Sequence, residues 1–272
     1  MAEEFFKSCL LCGSENLSDL KKYSKHYLIQ CDNCGFVFSR KKPSLRELHG
    51  LYDTYPIHQT ISPITLKRYD VLLDYFELFR QTNNLIDVGS GDGYFLEHAK
   101  QRGWNVFGTE FSEAKVATNR DKGITMHMGV LDVQNYSPGF FDVIVSIEVL
   151  EHINSPLEEI SKFQYLLRPG GIVYVTTPNF NSISKLLLRK NWNIVFYPEH
   201  LSYYTKKTLR LLFLKSGFYA ASLRTTGISF SRVQQSVYEP SRGGEFTMTD
   251  EKVRQAAENN FLLRSAKTII NG

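Results

Sequence analysis

The sequence predicts an α/β protein, a doubly wound parallel sheet behind a small four-cysteine knuckle. Three observations predict it. From Leu85 onward, short apolar runs alternate with segments of helical period. All four cysteines fall within the first 34 residues, as two Cys-x2-Cys pairs. A glycine-rich turn, "GSGDG", follows the first strand of the alternating region.

The pairs are Cys9-Leu-Leu-Cys12 and Cys31-Asp-Asn-Cys34, with eighteen residues between them. Each is followed by a glycine, Gly13 or Gly35, which permits the tight turn that aims amides at a metal-bound thiolate. This is the pattern of a zinc ribbon, with Zn2+ held tetrahedrally by four thiolates. Two disulfides are the alternative. The opening "MAEEFFKSC" has acids where an export signal would be basic and then apolar, so a cytoplasmic chain with reduced thiols is expected. A closed four-sulfur site has no open position, so a structural role is expected. A module this small cannot bury enough core without the metal. The knuckle is placed at residues 1–42.

Residues 43–84 read as a helical linker or lid. Ser44-x-x-Glu47 behind Pro43 is a capping box, and Pro56 and Pro63 break the chain. "ITLKRYDVLLDYFELFR" is a helix with Ile64, Tyr69, Leu72, Leu73, Phe76 and Phe79 on its apolar face. The core, 85–226, starts with strand "LIDVG" and a helix from Tyr94 to Gly103. Strand "NVFGTE" and a helix from Ser112 to Lys122 follow, then strand "ITMHMG" and the nearly all-apolar "FDVIVSI" of a strand buried on both faces. Ser155 and Pro156 open the next helix as N-cap and N1. Arg168-Pro-Gly-Gly171 closes it before strand "IVYVTTP". "TKKTLRLLFLKSGF" is a further helix closed by Gly217, with a sixth strand expected over Tyr219 to Thr226. The remainder, 227–272, reads as a polar loop from Ser236 to Thr249 and a helix from Asp250 to about Ile269.

Composition narrows the function. A net charge of +4 and no basic run longer than Arg40–Lys42 argue against a dedicated nucleic-acid binder. No apolar run approaches the ~18 residues of a membrane span.

The ligand of the glycine turn follows from charge. The spacing Gly89-x-Gly91-x-Gly93 is not that of a dinucleotide fold. Asp87 ends the strand before it and Asp92 lies inside it, and two carboxylates repel a pyrophosphate. They attract an ammonium and a sulfonium, as in S-adenosylmethionine. Glu110 ends the second strand, positioned to accept both ribose hydroxyls. Asp132, after the third strand, is placed for the adenine amino group, and Phe111 for an apolar face on the base. The expected cofactor set is Asp87, Gly89, Ser90, Gly91, Gly93, Glu110, Phe111, Asp132, Val133 and Ile147.

From Leu85 to about Phe218 the chain resembles the class I S-adenosylmethionine-dependent methyltransferases, through "DVGSGDG", Glu110, "FDVIVSIEVLEHI", "LLRPGG" and "TTPN". The whole chain also looks like a subgroup with an N-terminal four-cysteine knuckle, a Y-x2-Y segment (Tyr52, Tyr55) and "PEHLSYYT". The resemblance implies a tailoring enzyme acting on a small polar acceptor such as a sugar, nucleotide-sugar or secondary metabolite. It implies that Tyr52, Tyr55 and His58 form a lid, with core packing the alternative. It also implies that the sheet ends in a hairpin whose last, seventh strand inserts antiparallel. After "SAKTIING" no seventh strand is evident, so that strand is either absent or lies in a segment such as "ISFSRVQQSVY".

Methyl transfer is an in-line displacement whose electrophile comes with the cofactor, so the protein aligns, excludes water and, for a hydroxyl acceptor, removes a proton. Histidine is the first place to look. His26, His49, His98 and His127 sit in polar or peripheral contexts. His200 in "YPEHLSYY" is the favoured base, oriented by Glu199 or Glu151, with His152 close to the same strand end. The alternative is that His200 only pins its loop. Glu148, Glu151 and His152, at i, i+3 and i+4, are also spaced to face one way on a helical turn, and this E-x-x-E-H pattern holds a divalent cation in some related quinone-ring O-methyltransferases. Further alternatives are an rRNA base methyltransferase and a non-catalytic cofactor-binding module. Oligomeric state is left open.

Overall fold

The computed structural model describes residues 4–44, 47–48, 51, 60–188, 192–219 and 222–225. Three short strands open the chain: β1 (Leu17–Asp19), β2 (Leu28–Cys31) and β3 (Val37–Ser39), joined antiparallel in that order. A fourth, β9 (Ser202–Tyr203), pairs antiparallel with β3, matching Val37 with Tyr203 and Phe38 with Ser202. The knuckle's sheet therefore takes its last strand from "PEHLSYYT", far beyond residue 42. The Ser44–Glu47 capping box forms, with the Ser44 amide donating to Glu47 Oε2 at 2.8 Å and the Glu47 amide to Ser44 Oγ at 3.2 Å. Tyr52, Tyr55, His49 and His58 lie outside the described residues.

Helix α1 (Pro63–Phe76) begins where a chain break was expected at Pro63. Ser62 Oγ accepts the Thr65 amide at 3.3 Å, and proline at N1 gives up a donor the helix does not need. The second sheet is parallel, in the order β6–β5–β4–β7–β8, and its strands are β4 (Asn84–Val88), β5 (Asn105–Glu110), β6 (Thr125–Met128), β7 (Phe141–Ile147) and β8 (Leu167–Thr176). Helices α2 (Tyr94–Gln101), α3 (Glu113–Asp121) and α4 (Pro156–Leu166) make the crossovers. α5 (Ile183–Leu188) and α6 (Lys206–Lys215) follow β8. The reversal of strand order at β4 and β7 puts the binding crevice outside their carboxyl ends.

Side chains alternate along the strands into two layers. Leu85, Val143 and Val145 pack with Leu73 and Phe76 of α1 and with Phe95, Leu96 and Ala99 of α2. Ile86, Val88 and Ile144 share the opposite core with Ile160 and Phe163 of α4, Leu212 and Phe213 of α6, and Cys9, Leu11, Phe36 and Phe38 of the knuckle. The knuckle is thus part of the sheet's covering layer.

Three expectations need correcting. Ser155 makes no side-chain capping bond, though its carbonyl accepts the Glu159 amide at 3.1 Å and Pro156 starts α4. β8 begins at Leu167, so "RPGG" belongs to a strand. Leu167 pairs with Phe141 across a register shift, and Arg168 Nε donates to Asp142 at 2.5 Å. Asp142 is fully buried and also accepts the Gln81, Thr82 and Asn83 amides at 2.7, 2.7 and 2.9 Å. Burial alone would raise its carboxyl, but the Gln81 amide and Arg168 hold it below the usual range. Of the expected sixth strand, Tyr219, which is 97% exposed, and residues 222–225 are not in a strand, and residues 220, 221 and 226 lie outside the described residues. "ISFSRVQQSVY", the Ser236–Thr249 loop and the helix from Asp250 lie outside the described residues.

Candidate active site

Register puts Asp87, Glu110 and Ile147 at the carboxyl ends of three adjacent strands. The glycine turn leaves β4 with Gly89, Gly91 and Gly93 at φ of 76°, 54° and 74°. A Cβ on Gly89 would lie 2.6 Å from Val149, and one on Gly93 would lie 2.2 Å from Asn119, so both are held tight by their neighbours. A Cβ on Gly91 meets nothing within 4 Å. That side of the loop is open to a ligand. The Gly89 and Ser90 amides both donate to the Thr109 carbonyl at 3.0 Å, tying the loop across to β5.

Asp87 is buried, and among the described residues its Oδ1 has no hydrogen-bond partner. Burial, reinforced by the Glu110 charge, pushes its carboxyl up to about 8. A buried carboxylate oxygen short of a donor suits a cationic ligand, which would draw it back to the ionised form. Asp92, read as a second ligand-facing charge, is instead paired with Lys115 at 3.3 Å, both side chains being nearly buried. Lys115 and Asn119 lie one turn apart on α3 and both serve the loop, since Asn119 Nδ2 donates to the Gly91 carbonyl at 3.0 Å. Neither was singled out from sequence, although their i, i+4 spacing behind the loop was a usable signal.

Glu110 Oε2 accepts the Gly91 amide at 2.9 Å, and Oε1 accepts the Phe111 and Ser112 amides at 2.7 and 3.0 Å. A carboxylate offers about four acceptor sites, so gripping two hydroxyls here means exchanging one of these three amides. Phe111 is 38% exposed, open to a stacking base. Asp132 is exposed, and its Oδ1 caps the short turn Val133–Asn135 by accepting the Gln134 amide at 3.0 Å. Val133 and Ile147 are half-buried.

Beyond β7, Glu148 adopts φ 55°, and a short 3-10 turn covers Leu150–His152. The helical face expected for Glu148, Glu151 and His152 therefore does not form. The carboxylate and imidazoles that do converge are those of Glu151, His152 and His200, whose ligand atoms all lie within 4.8 Å of one another. The two rings meet edge to face at 4.8 Å. His152 Nδ1 lies 2.7 Å from the Glu199 carbonyl and His200 Nδ1 2.5 Å from the Ile194 carbonyl. A carbonyl only accepts, so each Nδ1 carries a proton, which leaves Nε2 as the basic nitrogen of either ring when that ring is neutral. Burial pushes His152 below its ordinary pKa, outweighing the carboxylates near it. Glu151 is buried, and Glu199 supplies its carbonyl to this cluster. Of the other histidines, His98 pairs with Asp70, His127 neighbours Asn135 and His26 accepts the Tyr197 amide.

In the knuckle, Cys9 and Cys34 Sγ lie 3.5 Å apart, as do those of Cys12 and Cys31, and all four ligand atoms are within 4.8 Å of one another. Four thiolates around Zn2+ at ~2.3 Å stand about 3.8 Å apart, so the four sulfurs fit the ion closely.

An open glycine turn after β4, a buried acid at the end of that strand, acids at the end of β5 and just after β6, and a carboxylate and two imidazoles gathered past β7 all belong to one doubly wound sheet. A family model described as a methyltransferase domain matches residues 63–223, more than half of the chain. The chain belongs to that methyltransferase-domain family. A ubiquinone biosynthesis O-methyltransferase of Pseudomonas aeruginosa is 34% identical over 36% of this chain and 45% of its own length. One from Thiobacillus denitrificans is 26% identical over 68% of this chain and 78% of its own. The chain thus spans less than half of the first relative. The crystal structure of a SAM-dependent methyltransferase from Archaeoglobus fulgidus shares the fold, with a TM-score of 0.51 at 19% identity over 77% of this chain and 89% of that one. Among the described residues, no helix is long and apolar enough to cross a membrane.

Proposed function

We propose that the protein methylates an oxygen of a small-molecule acceptor seated against Glu151, His152 and His200. The observation that carries this is the convergence of those three groups within 4.8 Å of one another just past β7, beside the crevice where the sheet order reverses. S-adenosylmethionine, when bound, brings the electrophilic methyl group and its leaving group. The chain's own work is then alignment, exclusion of water and removal of one proton. His200 Nε2 takes the hydroxyl proton, and the Glu151 carboxylate stabilises the resulting imidazolium. His152, kept neutral by burial, orients the acceptor. On the cofactor side, Asp87 meets the cationic end, Gly89, Ser90, Gly91 and Gly93 admit it, and Glu110 takes the ribose. Asp132, Phe111, Val133 and Ile147 surround the adenine. Cys9, Cys12, Cys31 and Cys34 would hold Zn2+, which would fix the two knuckle turns.

The relatives' name supports a ring hydroxyl of the quinone kind. The sugar or nucleotide-sugar acceptor rests on the subgroup resemblance alone. A second reading has its own support in the cluster: two imidazoles and a carboxylate are the donor set of a three-ligand Zn2+ site with an open position, softer than Mg2+ prefers. An ion there would acidify the acceptor hydroxyl. The test is methyl transfer from labelled S-adenosylmethionine to a catechol, 3,4-dihydroxybenzoate, beside a panel of nucleotide sugars, with and without prior chelation. Transfer to the catechol alone supports the proposal, and transfer to a nucleotide sugar alone overturns the ring-hydroxyl reading. Transfer that is lost on chelation and restored by Zn2+, while the knuckle keeps its metal, favours the second reading.

A further inference from the structure

We infer that the metal-loaded knuckle is the positioning element of the acceptor site, holding the segment 194–204 that carries Glu199 and His200. The segment lies between two supports. On one side it is bonded to the turn after β7: the Leu201 amide donates to the Glu151 carbonyl at 2.7 Å, Ser202 Oγ to the Ile153 carbonyl at 2.9 Å, and His152 Nδ1 to the Glu199 carbonyl at 2.7 Å. On the other side it is bonded to the knuckle. The Ser39 amide donates to the Leu201 carbonyl at 2.8 Å, β9 completes the sheet on β3, and the Tyr197 amide reaches His26 Nδ1 at 3.3 Å. Apolar packing repeats the arrangement. Trp192, Ile194, Val195 and Tyr203 are buried with Tyr23, Leu28 and Val37 of the knuckle, and the Tyr204 ring lies 5.3 Å from that of Phe36.

The cysteines are close to this support along the chain. Cys31 is the last residue of β2, and β3 begins three residues after Cys34. The turn between them is closed by the Cys31 amide on the Phe36 carbonyl at 2.9 Å and the Gly35 amide on the Cys31 carbonyl at 2.8 Å. Strands of three and four residues with one covered face are marginal alone, so the ion that fixes both knuckle turns also fixes the register in which β3 receives β9. The segment itself has only a two-residue strand. Its geometry, and with it the aim of His200, is borrowed from the knuckle. The inference relies on the acceptor-site reading only for its functional consequence.

Amide hydrogen exchange on the full chain tests it, with Zn2+ loaded and after stripping by a thiol-competing chelator, alongside calorimetric titration with S-adenosylhomocysteine. Expected is a loss of protection of about tenfold or more over 199–204, with β4, β5 and β7 and the product affinity unchanged. Coupling is reciprocal, so Tyr203→Ala, which removes no ligand, should weaken Zn2+ binding by roughly fivefold or more. Unchanged protection over 199–204, or unchanged Zn2+ affinity in Tyr203→Ala, overturns the inference. So does loss of protection throughout the parallel sheet, which would make the knuckle a general scaffold. Failure of the acceptor reading would show separately, as full turnover in His200→Ala with the exchange coupling intact.

Discussion

The two halves of the proposed active site are built in opposite ways. The cofactor half is local: β4, the glycine turn, β5 and the start of α3 follow one another in about thirty residues, and each ligand-facing group is placed by its own strand end. The acceptor half is assembled from afar. Glu151 and His152 come from the turn after β7, His200 from a segment 48 residues further on, and that segment's strand pairing from the knuckle near the N-terminus. A contiguous half can be kept whole while the acceptor half varies, which is how one fold serves many substrates. The acceptor half also depends on ties that any of three distant segments can break.

The largest expected effect falls on the acceptor half alone. His200→Ala should lower turnover by about 10²- to 10⁴-fold, the range for a lost general base, with S-adenosylmethionine affinity unchanged by calorimetry. Full turnover would remove His200 from the chemistry. Next comes a change that should not distinguish the halves. Arg168→Leu leaves the fully buried Asp142 without its partner, and breaking a buried ion pair typically costs about 3–5 kcal/mol. Three backbone amides remain on Asp142, so the lower end is expected. A drop in melting temperature should accompany near-normal cofactor affinity in the protein still folded.

What was legible in the sequence divides along the same line. The strands, the glycine turn and the acids at Asp87 and Glu110 follow from local patterns, because parallel strands read as apolar runs and tight turns require glycine. The clustering of the four cysteines was legible because the Cys-x2-Cys spacing is local too. Missed or misread were groups whose partners lie far along the chain. Asp92 looked like a ligand charge because Lys115 is 23 residues away. "RPGG" looked like a turn because Asp142, which draws Arg168 into β8, lies 26 residues earlier. Glu148, Glu151 and His152 suggested a helical face, yet the left-handed φ at Glu148 breaks it and His200 takes the third place. β9 has almost no strand signal of its own, since two residues carry no periodicity.

Asp87 sharpens the cofactor side. Asp87→Asn should weaken S-adenosylmethionine binding by about 1–3 kcal/mol, or roughly 5- to 150-fold, as for a lost charged hydrogen bond. The pH dependence supplies the sign. The Asp87 carboxyl is held up at about 8 in the empty protein, while the unfolded chain loses that proton near pH ~4. The folded form therefore binds the extra proton between those values, and stability from this group is lost as pH rises through about 8. A cationic ligand favours the ionised carboxylate, so binding below that pH releases a proton. Affinity should rise with pH and level off above it. Calorimetry in buffers of different ionisation enthalpy measures the released proton directly. Its absence, or an unchanged pH profile in Asp87→Asn, would detach Asp87 from the cofactor.

The smallest effect separates a ligand contact from a fold contact at Asp132. Its Oδ1 already caps the turn after β6 through the Gln134 amide, so loss of affinity in Asp132→Ala alone would be ambiguous. Alanine removes both the cap and the reach toward the base. Serine keeps the cap, being as good an N-cap as aspartate, but its hydroxyl is too short to extend to a ligand as well. Asp132→Ala should cost about 1 kcal/mol of stability, and Asp132→Ser close to none. If both variants lose about fivefold in S-adenosylmethionine affinity, or about 1 kcal/mol for one solvent-exposed hydrogen bond, Asp132 touches the adenine. If only the alanine variant does, Asp132 serves the cofactor by shaping the Val133–Asn135 turn, and the adenine amino group finds its acceptor elsewhere.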